Sequence, residues 1–419
     1  MGCEGLKTPE ELIGPPEIDV EKKMISDIIR RFLPVDSEIL IIPQGRNTFS
    51  TEPMVRSNID ADEEEEIVAL YRDKNMRKIG MLFIDEKAGV WSNALELKID
   101  AFEVSDYAVI DLNGDGKSEI LFGYFSVSDP YKELMIFGDI EGKLRKIYET
   151  KYLALDLNNT NQNDEVEIAL STIGNSDNNN KLVLLNYREE LIQKVGELVY
   201  AEDAEIYKIF YSNINRSNKA YFIDMYTKEG IGKSDLVSYS NQDLFSLLRK
   251  NGIAEIVQEI PTTSSDTDGD GVTELIANKI LEQNEGVTRL VLRSCYNFNI
   301  NKELELQSKE YEDYELGIAV VLQYFIDNKI SVAKMDEHLR FYYFSEKEDK
   351  KIEFLDIVKT DAVSANEYRL THTLIDERND QVILAKLSSS DELKGAEKNQ
   401  FEKLYQSLHD MKDIIRFIE

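Results

Sequence analysis

Cysteine is almost missing from this chain. Cys3 and Cys295 are the only two in 419 residues, too few for a disulfide framework, so stability in an oxidising setting would rest on packing and on bound ions. Cys295 follows an apolar run and reads as a small buried residue, not as a nucleophile. Histidine is nearly as scarce. His338, His372 and His409 stand apart, with no His-Glu-x-x-His or His-x-His pairing, which leaves zinc hydrolysis without its usual ligands. Each reads as an ordinary surface or boundary residue. No Gly-x-Ser-x-Gly elbow, P-loop or Gly-x-Gly-x-x-Gly fingerprint occurs, so serine hydrolysis and nucleotide cofactors are unsupported. No run of about 18 apolar residues exists, so no membrane-spanning helix is predicted. Basic residues are few beside acidic ones, 49 Lys+Arg against 80 Asp+Glu, a net charge of -31. That balance argues against nucleic acid or bare anionic membrane as a partner. Acid is spread along the whole chain and is for the most part a solvated surface, with metal-binding clusters as local exceptions. The hydrophobic fraction, 42%, is ordinary for a folded protein, and the length can hold two domains with ample core.

What is present is a repeated acidic loop. Asp111-Leu-Asn113-Gly-Asp115-Gly-Lys117-Ser-Glu119 recurs at the same spacing as Asp266-Thr-Asp268-Gly-Asp270-Gly-Val272-Thr-Glu274. Side-chain oxygens at positions 1, 3, 5 and 9 suit Ca²⁺, which takes six to eight hard oxygen ligands, and alternate side chains of a short turn converge if glycines let the backbone fold sharply. An EF-hand needs its closing acid at position 12, where Phe122 and Ala277 stand, so the acid at position 9 must close the site. Apolar runs of strand length follow each loop, Ile120-Leu-Phe-Gly-Tyr and Leu275-Ile-Ala-Asn, so the loops are expected to join strands. The plainer reading, hairpin turns carrying solvated acids, stays open at this point.

Degenerate copies of the loop give the chain a period. Asn58-x-Asp60-x-Asp62-x-x-x-Glu66 precedes Ile67-Val-Ala-Leu, and Asn159-x-Asn161-x-Asn163-x-x-x-Glu167 precedes Ile168-Ala-Leu. A further copy from Ser212 to Ala220, before Tyr221-Phe-Ile, has lost its ligands. Starts at 58, 111, 159, 212 and 266 are separated by 53, 48, 53 and 54 residues, near the length of a four-stranded propeller blade. Each unit carries a second apolar run (Met81-Leu-Phe-Ile, Leu134-Met-Ile-Phe, Leu182-Val-Leu-Leu, Leu236-Val, Leu290-Val-Leu), a polar turn and another short strand.

These motifs resemble the FG-GAP and VCBS repeats of bacterial surface proteins and of the integrin α-subunit propeller, whose signature is an Asp-x-Asn/Asp-Gly-Asp-Gly-x-x-Asp/Glu loop ahead of an apolar strand. The resemblance covers residues 51 to about 310 and is specific at 111–119 and 266–274. It implies a mainly β fold, a β-propeller-like domain of about five units, with calcium as the cofactor. It implies two metal sites, Asp111, Asn113, Asp115 and Glu119 with Lys117 included, and Asp266, Asp268, Asp270 and Glu274 with Val272 included. The loop at Asn58 departs by carrying Glu63 where glycine is expected, and the loop at Asn159 has one formal charge among its four ligand positions. Calcium is not expected at either, nor at Ser212.

The two ends differ from the repeats. Met1-Gly2-Cys3 resembles the end of a bacterial lipoprotein signal, in which the cysteine is lipidated, although the apolar segment that would precede it is missing. A myristoylation signal is disfavoured by Leu6 in place of Ser or Thr, and an accidental surface cysteine is the remaining option. Residues 1–16 are then a tether, and Val20, Met24, Ile28 and Phe32 mark a helix ended by Pro34 within a segment 17–50 of helix and strand. Beyond residue 310, strand-like runs at Gly317, Arg340, Ile352 and Gln381 precede an apolar stripe (Phe401, Leu404, Tyr405, Leu408, Met411, Ile414, Ile415, Ile418) that predicts one amphipathic helix. Residues 311–419 thus read as a small α+β domain.

The expectation for function is a calcium-binding lipoprotein on the extracellular face of a bacterial membrane. It would be a monomer that binds a protein or glycan partner. A surface glycan hydrolase and a purely structural envelope lipoprotein are the alternatives. No catalytic residue can be named, since among 80 acids some pair always falls at glycosidase distance.

Overall fold

The computed structural model describes residues 20–42, 49, 50, 52–60, 62, 64–74, 78–126, 129, 131–160, 165–173, 180–200, 204–240, 243–281, 290–322, 329–335, 337–347, 349–389 and 393–418. The chain is mainly β, built from several antiparallel sheets, and divides into two compact units, Met1–Tyr200 and Ala201–Glu419.

In the first unit, helix Val20–Phe32 lays Ile25, Ile28 and Ile29 on Ala69, Leu82 and Ile84 of the first sheet. The apolar face is rotated from the expected stripe. Met24 is 45% exposed, because the adjacent isoleucines Ile25 and Ile29 fill the contact with the sheet. That sheet is a meander of Glu66–Asp73, Ile79–Lys87 and Val90–Ile99, with Ser37–Ile39 and Met54–Ser57 both paired to Glu66–Asp73. Runs such as Ile67-Val-Ala-Leu-Tyr are buried residue after residue, which an alternating one-faced strand would not be; such a strand needs a covering layer on each side. Helix Val20–Phe32 covers one face. On the other, Val68, Leu70, Met81 and Phe83 meet Tyr107, Ile120 and Phe122 of the next sheet, each such side chain contributing about 1.5–3 kcal/mol when fully buried.

The second sheet has seven strands paired in chain order, from Ala101–Ile110 to Leu191–Val199. Its long strand Leu144–Asn158 changes partner near Tyr152: residues 144–152 pair with Lys132–Asp139, and residues 152–158 with Glu167–Ile173. The sheet is therefore two four-stranded meanders sharing one strand, and Leu121, Leu134 and Ile136 of one half belong to the same core as Leu170, Val183 and Leu185 of the other. Tight hairpins close the meanders. Ala88 and Gly89 (φ 53° and 78°), and Glu189 and Glu190 (φ 52° and 61°), take the left-handed conformation that two-residue turns between antiparallel strands require.

The second unit begins with the same pattern. Ala204–Asn215, Asn218–Thr227, Gly232–Ser240 and Asp243–Ser246 form one meander, and Leu275–Leu281, Leu290–Phe298 and Leu304–Asp313 form the next. The short strand Ile256–Gln258 joins them through a parallel contact, Gln258 opposite Asn278, while Phe210, Phe222 and Leu236 share a core with Leu275 and Phe298. This sheet continues past residue 310, because Leu304–Asp313 pairs with Ile318–Leu322. A separate five-stranded sheet, Ile330–Met335 to Gln381–Leu387, buries Phe341, Tyr343 and Phe354 under helix Ala396–Ser407 through Phe401 and Leu404.

The single C-terminal helix expected from the apolar stripe is instead three elements: Ala396–Ser407, the turn-like helix Met411–Ile414, and strand Ile415–Phe417, which pairs with Ile318–Leu322. Phe401, Leu404, Leu408, Ile414 and Ile415 of the stripe are buried, and Tyr405, Met411 and Ile418 are half-buried. The unpaired edge of Ile318–Leu322 offers ladder hydrogen bonds that a helix would leave unmade, and Ile415 extends readily into a strand.

Candidate metal centres

The motif loops occupy one position in the meanders. Residues 58–66 lie between Met54–Ser57 and Glu66–Asp73, and residues 111–119 between Ala101–Ile110 and Glu119–Ser126. Residues 266–274 lead into Leu275–Leu281, with Ser265 bridged to Glu274. Of the third loop, Asn161 and Asn163 lie outside the described residues.

The two strong loops share one hydrogen-bond plan. Asp111 accepts from the N–H groups of Gly114 (2.7 Å) and Gly116 (2.8 Å), as Asp266 does from Gly269 (2.7 Å) and Gly271 (2.9 Å). Asn113 accepts from Asp115 N–H and Asp115 from Lys117 N–H; Asp268 and Asp270 likewise accept from Asp270 and Val272. The glycines are needed for this winding, with φ between 76° and 87° at Gly114, Gly116, Gly269 and Gly271, a region costly for other residues. The first loop keeps part of the plan, Asp62 N–H donating to Asp60 and Glu64 N–H to Asp62.

The closing glutamate behaves alike in every acid-bearing loop. One carboxylate oxygen accepts from the backbone N–H at the loop's second position: Ile59 to Glu66 (2.7 Å), Leu112 to Glu119 (2.9 Å), Thr160 to Glu167 (2.8 Å) and Thr267 to Glu274 (2.7 Å). Glu66, Glu119, Glu167 and Glu274 are all buried, unusual for this residue type unless it is paired. Burial pushes the Glu66 carboxyl up to about 7, against the pull of the Ile59 N–H and with help from Asp60, Asp62 and Asp85. Burial likewise takes Glu119 up to about 8, the charges of Asp115 and Asp111 adding to it. Glu274 is raised for the same reasons. A nearby cation reverses each of these effects, since it favours the charged carboxylate that burial disfavours.

Asp266, Asp268 and Glu274 bring carboxylate oxygens within 4.8 Å of one another, and so do Asp60, Asp62, Glu66 and Asp85. Asp270 stands outside the first of these groups and holds Val272 N–H instead. Val272 is itself buried, so its side chain serves the core. In the 111–119 loop the acids are not drawn so close: Asp111 is held by backbone N–H groups, and the Asn113 amide reaches Asp115 at 3.0 Å. Lys117 turns its ammonium to Asp139 at 3.0 Å. The buried Glu274 and Glu66 each keep one oxygen, Oε1, with no hydrogen-bond partner. Hard oxygen donors left unpaired in a buried, negatively charged cluster fit a hard cation.

Backbone bonds tie successive loops together. Ser118 N–H donates to the Asn58 carbonyl and Val166 N–H to the Leu112 carbonyl, both at 2.8 Å, and Thr273 N–H donates to the Asn213 carbonyl at 2.9 Å. Hydroxyl pairs reinforce two of these joints, Ser57 with Ser118 and Ser212 with Thr273.

Two of the scattered histidines do meet. Asp356, on strand Lys350–Asp361, lies 2.9 Å from His338 Nδ1 and 3.4 Å from His372 Nε2, with Arg340 Nε also at 3.4 Å. Their meeting depends on strand register, Arg340 opposite Asp356, which spacing along the chain does not reveal. The cluster satisfies one buried carboxylate, and His372 Nδ1 in turn lies 2.9 Å from the exposed Thr371 hydroxyl. Cys3 lies outside the described residues, and Cys295 is buried, its thiol pushed up by burial.

No family model matches the chain, and no curated protein matches it. Among solved structures it is similar to the crystal structure of a protein from Lactobacillus plantarum, with 10% identity over 72% of this chain and 84% of that one and a TM-score of 0.29. A score that low carries no argument about fold or site.

Proposed function

We propose that this chain is a calcium-binding module of the bacterial cell surface, its repeated meanders forming a β-propeller of about five units, with Cys3 as a lipid anchor and a protein or glycan as its partner. The observation that carries the reading is the chain of loops: those at 58, 111, 159 and 266 each close on a buried glutamate, and within each unit successive loops are joined, Ser118 to Asn58 and Val166 to Leu112 in the first and Thr273 to Asn213 in the second. Joined in this way, neighbouring loops within each unit lie side by side, and repeated sheets stacked through apolar faces are what propeller blades present.

In this reading calcium is held by Asp111, Asn113, Asp115 and Glu119 in one loop and by Asp266, Asp268, Asp270 and Glu274 in another. The ion neutralises acids that otherwise repel one another and stiffens the loops, so that less loop entropy is lost when a partner docks. The acid surplus suits a partner without dense negative charge.

The test is retention of the full chain on an array of cell-wall and host glycans and on immobilised envelope proteins, with calcium and after chelation. Calcium-dependent retention without turnover is expected. Turnover of a glycan that a single carboxylate substitution abolishes would replace the binding role with hydrolysis.

A further inference from the structure

We propose that Asp60, Asp62, Glu66 and Asp85 form a divalent-cation site of their own, assembled from the degenerate first loop and the neighbouring strand. The sequence alone excuses this loop, since Asn58 stands at its first position and Glu63 where a glycine is expected. The folded chain supplies what the loop lacks. Asp85, near the end of strand Ile79–Lys87, stands one step beyond the pair Ile67–Ile84 and so comes level with Glu66. One oxygen from each of the four acids lies within 4.8 Å of the others, a separation that one ion of calcium's kind, with metal–oxygen distances of about 2.3–2.6 Å, can bridge.

The independent observation is a pair of orphaned oxygens. Glu66 is fully buried and Asp85 is 7% exposed, yet Glu66 Oε1 and Asp85 Oδ1 have no hydrogen-bond partner. Buried carboxylate oxygens without a donor are costly unless a charge meets them. Lys87 meets only the outer side, 2.9 Å from Asp85 Oδ2 and 3.7 Å from Asp60 Oδ2, with its side chain 64% exposed. It therefore competes with a cation for those two oxygens and leaves Glu66 Oε1 and Asp85 Oδ1 without a partner.

The same strand position recurs elsewhere. Asn186 stands one step beyond Ile168–Leu185, and Asn297 one step beyond Leu275–Tyr296, each level with the closing glutamate of its loop. At the 111–119 loop the level position is Gly138, one step beyond Phe137, the partner of Ile120, and Asp139 is the residue after it. Asp139 Oδ1, Asn186 Oδ1 and Asn297 Oδ1 are likewise buried and unpartnered. A cross-strand oxygen level with the loop glutamate thus recurs at Asn186 and Asn297, and the first loop carries it as a full acid, Asp85. The inference does not rest on calcium in the loops at 111 and 266, whose residues are separate.

Trp91, the chain's one tryptophan, is paired with Glu86 beside Asp85, so tryptophan-sensitised terbium emission reports on this site. Terbium titrated into the chelator-treated full chain should give emission under tryptophan-selective excitation, displaced by calcium. Asp85→Asn should weaken that titration at least about tenfold, Lys87→Gln should tighten it, and the double variant Asp111→Ala/Asp266→Ala should leave it unchanged. Wild-type behaviour in Asp85→Asn, or no tryptophan-sensitised signal in the wild type, overturns the proposal. Should Asp85→Asn fail to fold by circular dichroism, Asp62→Asn on the loop side decides the matter by the same readout.

Discussion

Two loops in the second unit occupy equivalent places and have opposite chemistry. At 212–220 the acids are gone, and strand pairing runs through the motif: Ser212 opposite Ala220, Asn213 opposite Lys219, and a tight turn closed by Asn215, which accepts from Ser217 and Asn218 N–H. At 266–274 the backbone is held open, with one bridge, Ser265 to Glu274, and carboxylates taking the N–H groups that a ladder would otherwise pair. The position of the closing acid is buried in both, as Glu274 and as Ala220. A loop that gathers acids gives up backbone pairing, and a loop that loses them recovers it. The acids at 266–274 therefore replace structure, which solvated turn decoration would not do.

That contrast can be broken at several points. Chelation should have the largest effect: with calcium a hundredfold above its Kd, each occupied site adds about 2.7 kcal/mol, so EDTA should lower the melting temperature of the wild type by several degrees in calorimetry. Next is Glu274→Ala, which strips a buried acceptor from the Thr267 N–H and hydroxyl. It should lose about 2–3 kcal/mol in urea unfolding even without calcium. Asp266→Asn should abolish calcium binding at its loop while lowering apo stability by about 1 kcal/mol, because the amide oxygen can keep only one of the two backbone bonds, to Gly269 or to Gly271. Smallest is Asn215→Ala, expected to lose about 0.5–1 kcal/mol through its turn bonds, with the calcium titration unmoved.

Much of the repeat was legible in the sequence. The apolar runs at Ile67, Ile120, Ile168, Tyr221 and Leu275 all begin or lie in strands that follow their loops, and the second runs form their partners. These strands are buried on both faces, so their character lies in local composition. The strong loops were legible because ligand spacing and glycine conformation are local as well. Contacts made across strands were not. Asp85 joins Glu66, and Asp356 joins His338 and His372, only once register is known. The C-terminal stripe misled for a related reason: an apolar residue every three or four positions fits a helix, yet Ile415–Phe417 found an open sheet edge. The face of the first helix shifted because Ile25 and Ile29 outcompete Met24 for the sheet.

The most direct test of the account is a calorimetric titration of calcium into the chelator-stripped full chain, beside Asp111→Ala and Asp266→Ala. The account predicts saturable binding in the wild type and the loss of one binding equivalent in each variant, with the other steps unchanged. No heat in the wild type, or full wild-type stoichiometry in both variants, would contradict it and leave the loops as turns.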